Sequence, residues 1–155
     1  MVIIFCGIPG SGKSTVARRL REELEKRGRT ELLVSDQIRS PVYRKIFRWL
    51  KENLDRADYI IIDATFHKTK WRDEVFMTAG ADNVLVVHLH CSLKTCLERN
   101  KKRKPALPER VIYVIDRAME RPVHPDISID TDEIGPEEAV SMILNRTRCA
   151  PQPAA

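Results

Sequence analysis

The run Gly7-Ile8-Pro9-Gly10-Ser11-Gly12-Lys13-Ser14 constrains this chain more than any other feature. Five apolar residues, Val2–Cys6, precede it. Val16, Leu20 and Leu24 follow on one helical stripe. The order is therefore strand, glycine-rich turn, helix. Glycines let such a turn point its N–H groups inward, and the helix N-terminus adds about half a positive charge. Together they make a cradle for phosphate oxygens. The run fits G-x-x-x-x-G-K-[ST] at every fixed position. In that pattern Lys13 reaches the β- and γ-phosphates and the Ser14 hydroxyl serves Mg²⁺. Gly7, Pro9, Gly10, Ser11, Gly12, Lys13, Ser14 and Thr15 are the nucleotide-binding candidates.

The remaining sequence repeats the strand–helix alternation. Strands are expected at Glu31–Val34, Tyr59–Ile62 with Asp63 at its end, Val84–His90 and Ile127–Asp130. Helices are expected at Ser14–Gly28, Pro41–Arg56, Lys68–Ala79, Leu93–Lys102, Pro108–Met119 and Pro136–Arg148. This order predicts an α/β fold: a five-stranded, mostly parallel sheet with helices on both faces. Right-handed crossovers then bring every strand's carboxyl end to one edge, where ligands bind. A single domain over residues 1–148 and a frayed tail over 149–155 are expected.

Composition narrows the function classes. The apolar runs are far too short for a membrane span. The chain opens on its first strand without a basic leader, and no cysteines are spaced C-x-x-C, so a cytoplasmic protein with reduced thiols is expected. Lys plus Arg exceeds Asp plus Glu by 27 to 22, a net charge of +5 that suits a polyanionic ligand without specifying one. Aromatic residues are 6%, too few to suggest a base-stacking platform.

Three further elements carry chemistry. Asp36 and Arg39 form an Asp-x-x-Arg pair after the second strand. The carboxylate suits a general base or a helix cap, and the guanidinium suits a substrate phosphate or carboxylate. Asp63 closes an Ile-Ile-Ile-Asp run, where it can stand behind the Mg²⁺ ligands or simply end a strand. Arg99 and Arg103, four apart, share a helix face that could cover a triphosphate or face solvent. The segment near 99–107 reads as a lid. His88, His90 and Cys91 lack the ligand spacing of a tetrahedral metal site.

Taken together, GIPGSGKST, Ser35-Asp36-Gln37-Ile38-Arg39, Ile62-Asp63-Ala64-Thr65 and Glu98-Arg99-Asn100-Lys101-Lys102-Arg103 resemble the P-loop kinases of the polynucleotide 5′-kinase and seryl-tRNA(Sec) kinase type. Leu107–Ile112 is similar to the seryl-tRNA kinase pattern. Pro125–Thr131 resembles both that group and the adenylylsulfate kinases. The resemblance covers roughly residues 1–132 and implies the P-loop NTPase kinase fold. It implies ATP and Mg²⁺ at Lys13 and Ser14, a general base at Asp36, a substrate contact at Arg39, and an ATP grip at Arg99 and Arg103. Many polynucleotide kinases carry Asn after Asp-x-Thr, where this chain has Phe66. Seryl-tRNA kinases carry an additional C-terminal helical domain, which is not expected here.

The expected activity is ATP- and Mg²⁺-dependent transfer of the γ-phosphoryl group to a hydroxyl of a nucleic-acid (RNA or tRNA) or nucleotide-like acceptor. Two alternatives stay open: an adenylylsulfate or other small-metabolite kinase, and a non-catalytic ATP-binding regulatory module.

Overall fold

The computed structural model describes residues 1–149. In chain order the elements are β1 (Val2–Cys6), α1 (Lys13–Glu25), β2 (Thr30–Val34), α2 (Val42–Asn53), β3 (Tyr59–Asp63), α3 (Thr69–Ala79), β4 (Val84–His90), α4 (Leu93–Lys102), α5 (Glu109–Ala118), β5 (Ile127–Asp130) and α6 (Pro136–Cys149). A 3-10 turn at Ser35–Gln37 follows β2. Of the tail expected over 149–155, Cys149 is the last residue of α6 and 150–155 lie outside the described residues.

The strands form one sheet in the order β2-β3-β1-β4-β5, and every pairing is parallel. From central β1 the chain winds to one side for β2 and β3, then crosses to the other for β4 and β5. The register aligns the carboxyl ends: Asp63 lies opposite Phe5 and Val34, Cys6 opposite His88, and His90 opposite Asp130.

β1 is buried along its whole length, as a central parallel strand must be. Its side chains alternate between two cores. Ile3 and Phe5 join Ile61, Val87 and Leu89 beneath Leu20 and Leu24 of α1 and Ala139 and Ile143 of α6. Val2, Ile4 and Cys6 join Ile60, Ile62 and Val86 against Ile46 and Leu50 of α2 and Val75 of α3. Each fully buried aliphatic side chain contributes on the order of 1.5–3 kcal/mol. A smaller cluster of Ile8, Cys96 and Ile112 joins the phosphate loop to α4 and α5.

Helix ends depart from expectation by up to three residues. α1 ends at Glu25, and the Arg27 and Gly28 amides both donate to the Leu24 carbonyl, at 2.8 and 3.1 Å. Gly28 therefore lies past the helix. A Cβ there would meet the Asp58 carboxylate at 2.7 Å, and that carboxylate takes the Arg29 amide. Among the described residues, no helix is long and apolar enough to cross a membrane.

Candidate active site

The loop between β1 and α1 is shaped by backbone approaches that side chains would prevent. A Cβ on Gly7 would lie 2.2 Å from the Leu89 carbonyl oxygen, and one on Gly10 would lie 2.4 Å from that of Cys96. The Gly7 amide donates to the Thr65 carbonyl at 3.2 Å, tying the loop to the exit of β3. Gly12 caps α1 with no side-chain bond, so the first helical amides remain available to an anion.

Lys13 lies under this loop, 8% exposed. Its Nζ donates to the carbonyls of Gly7 at 2.7 Å and Ile8 at 3.0 Å, leaving one N–H for a phosphate oxygen. Burial pushes the Lys13 ammonium below its ordinary pKa, and the charges of Asp63 and Asp36 oppose that fall. The Ser14 hydroxyl donates to Asp63 Oδ2 at 2.5 Å. Burial pushes the Asp63 carboxyl up, opposed by Lys13 and then by the Ser14 hydrogen bond. The buried Ser11 hydroxyl has no partner, which leaves a polar atom of the loop itself unsatisfied.

Asp36 stands across from the loop on the 3-10 turn after β2 and accepts a hydrogen bond from the Arg103 guanidinium at 2.5 Å. Arg99 behaves differently from Arg103. Its guanidinium donates to the Gly10 carbonyl at 3.2 Å, and to the Thr131 hydroxyl and carbonyl at 2.8 Å each. The single helix face expected for the two arginines is not formed. α4 stops at Lys102, and Arg103 follows in extended backbone with φ −76° and ψ 146°. Both arginines nevertheless border one cavity of about 500 Å³, together with Pro9, Lys13, Asp36 and Asp63. Arg39 is exposed and does not line it.

A family model described as an AAA domain matches residues 2–122. The chain belongs to this family of P-loop kinases. Adenylyl-sulfate kinase of Oceanobacillus iheyensis is 31% identical, over 93% of this chain and 82% of its own length. L-seryl-tRNA(Sec) kinase of Methanococcus maripaludis is 29% identical, over 86% of this chain and 60% of its own. Among solved structures, Chaetomium thermophilum Kti12 in complex with ADP-AlF3 superposes with a TM-score of 0.79 at 19% identity. That match covers 97% of this chain and 98% of the other, and it is a likeness of fold. The family places the chain among kinases with the P-loop fold.

Several contacts of this P-loop kinase site are not specified by the sequence motifs. A second cavity of about 410 Å³ shares Gly12, Thr15 and Arg99 with the first and is closed by Thr131, Ile134 and Gly135. The Thr131 hydroxyl lies 3.1 Å from the Ser11 carbonyl and 3.3 Å from that of His90, so the exit of β5 braces the loop. Buried Asn100 closes the lid. Its Nδ2 donates to the Leu107 carbonyl at 2.7 Å, and its Oδ1 accepts the Leu107 amide at 3.0 Å. Phe66 is fully buried with φ 45°, a left-handed conformation that Asn tolerates better than Phe. Its carbonyl is held by buried Arg72 at 2.6 Å, and Arg72 also donates to the Glu120 carbonyl at 2.8 Å.

The donors on the cavity floor fit Mg²⁺. Ser14 and Asp63 offer oxygen only, and a hard cation bound beside phosphates needs few protein ligands because it keeps its waters. Among the described residues, no cluster of three or more His, Cys, Asp or Glu offers a dedicated metal cage.

Proposed function

We propose that this protein transfers the γ-phosphoryl group of ATP, with Mg²⁺, to a hydroxyl on a nucleotide-like or nucleic-acid acceptor. The observation that carries the reading is the facing pair of groups across one cavity: Lys13, Ser14 and Asp63 below the phosphate loop, Asp36 and Arg103 opposite. The second cavity would take the nucleoside end of ATP, bordered by Thr131 and Arg99. The triphosphate would lie along the loop amides.

Each residue then has a task. Asp36 accepts the proton of the incoming hydroxyl. In a loose transition state that proton can leave late, so a weak base suffices. Lys13 and the loop amides neutralise charge on the transferred group, and Arg103 does so once an acceptor separates it from Asp36. Arg99 keeps Gly10 and Thr131 in place and so fixes the loop. Ser14 would hold Mg²⁺ with Asp63 behind it, and the ion would supply charge neutralisation between the β- and γ-phosphates. Arg39, exposed and three residues beyond Asp36 in the chain, would contact the far part of an acceptor.

The adenylyl-sulfate kinase relatives make adenylyl sulfate the first acceptor to offer. The test is transfer of label from γ-labelled ATP to a panel: adenylyl sulfate, 5′-hydroxyl RNA and DNA, seryl-tRNA, nucleosides and simple sugars. Labelled product with a nucleotide-like acceptor is expected. ATP binding with no labelled product from any acceptor would overturn the reading. That result would favour a regulatory module in which the Asp36–Arg103 pair stays closed.

A further inference from the structure

Cys91 and Cys96 stand at the start of α4 in a relation the helix itself imposes. Ser92 is the N-cap, its hydroxyl accepting the Thr95 amide. Cys91 is therefore the residue before the cap, and Cys96 is the fourth residue of the helix. Those two positions meet in the hydrophobic staple that fixes how a chain enters a helix. Here both halves of the staple are cysteine, and their sulfurs are 2.6 Å apart as free thiols. The pair also touches the phosphate loop. Cys91 Sγ lies 3.8 Å from the Gly10 carbonyl, and the Cys96 carbonyl is the group that excludes a side chain from Gly10.

We propose that Cys91 and Cys96 form a reversible disulfide site that fastens α4 to the end of β4 beneath the phosphate loop. Cys91 is the attacking thiol. It is half-buried and borders a small cavity of about 120 Å³ with Ile8, His90 and Arg121, whereas Cys96 is fully buried. The hydrogen bond from the Cys96 thiol, followed by the Arg99 charge and a Thr131 hydrogen bond, draws the Cys91 pKa below its ordinary value, and burial opposes them. Cys96 accordingly stays protonated.

The oxidant is a small disulfide such as oxidised glutathione. The Cys91 thiolate attacks one of its sulfurs and releases a glutathione thiolate, leaving a mixed disulfide on Cys91. Cys96 gives its proton to the departing thiolate and attacks the Cys91 sulfur, releasing the second glutathione. The protein dithiol loses two electrons and two protons, and two glutathione thiols are formed.

Lys94 makes the product easy to identify, because trypsin cuts after it and separates the two cysteines. Full-length protein is equilibrated with oxidised glutathione, alkylated, digested and mapped. The expected product is the Asp73–Lys94 peptide linked to Thr95–Arg99, reversed by dithiothreitol and retained in Cys149→Ser. Amide hydrogen exchange over residues 95–100 should slow by at least about threefold in the oxidised form and not in Cys96→Ser. A glutathione adduct persisting on Cys91, a link to Cys6 or Cys149 instead, or unchanged exchange in the linked protein would overturn the proposal. Neither readout needs ATP or an acceptor, so a failure of the proposed kinase activity would register separately.

Discussion

Asp36 and Lys13 face each other across the cavity with different attachments, and their substitutions should separate accordingly. Lys13 is wrapped by the loop carbonyls. Lys13→Ala should weaken ATP binding and lower turnover by at least about 10²-fold, since it removes charge from the transition state. Asp36 touches the lid rather than the loop. Asp36→Asn should leave ATP affinity within about threefold and lower turnover by about 10²-fold, the scale of a lost general base. Isothermal titration with a non-hydrolysable ATP analogue, beside label transfer, measures both. At Gly10 the effect is on the fold. φ is +87°, and a methyl group would collide with the Cys96 backbone. Gly10→Ala should cost about 2–4 kcal/mol in denaturant unfolding.

At the scale of elements, the lid depends on Asn100. Asn100→Ala removes both bonds to Leu107, and if Arg103 acts as proposed it should lower turnover by about tenfold with little change in thermal midpoint. A retained rate, with the lid still resistant to limited proteolysis, would show that the clamp does not hold it. The same element shows how far the sequence could be read. Val2–Cys6, Val84–His90 and Ile127–Asp130 were legible as strands to the residue, because apolar runs of strand length bounded by turn residues admit little else. The phosphate loop was legible because its glycines, lysine and serine form one contiguous run between a strand and a helix, although the collisions that demand Gly7 and Gly10 come from Leu89 and Cys96, far along the chain. The lid was only half legible. A spacing of four predicts one helix face for Arg99 and Arg103, but the Asn100 side chain captures Leu107 and the helix ends at Lys102. Thr131 and Phe66 stand out only against the family patterns, which do not give their contacts. One acts through a partner at the far end of the chain, and the other holds an unfavourable φ because its ring is buried.

For the whole molecule, the sheet that positions the site also buries a titratable group. His88 lies in β4 opposite Cys6 and Ser128, 9% exposed. Burial, then the neighbouring His90, Arg121, Arg72 and Lys13 charges, lowers its pKa to about 4. The unfolded chain, with an ordinary His value near 6.5, binds the proton more readily between those limits. Stability should therefore be full above about pH 6.5 and fall as pH drops towards 4, by up to about 3 kcal/mol from this group. Denaturant unfolding at pH 7.0 and pH 4.5 should show a smaller loss for His88→Asn than for the parent chain. An equal loss would place the acid sensitivity elsewhere.

The Asn100–Leu107 clamp also has a meaning for variation. Two hydrogen bonds hold the ends of the lid segment at a fixed separation, so the six residues between them form a cassette. Of these, residues 103–106 lie between the helices and can be exchanged without redrawing α4 or α5, provided a guanidinium still reaches Asp36. A library built within 103–106 would sample new covers for the proposed acceptor while leaving the phosphate loop and both cores as they stand.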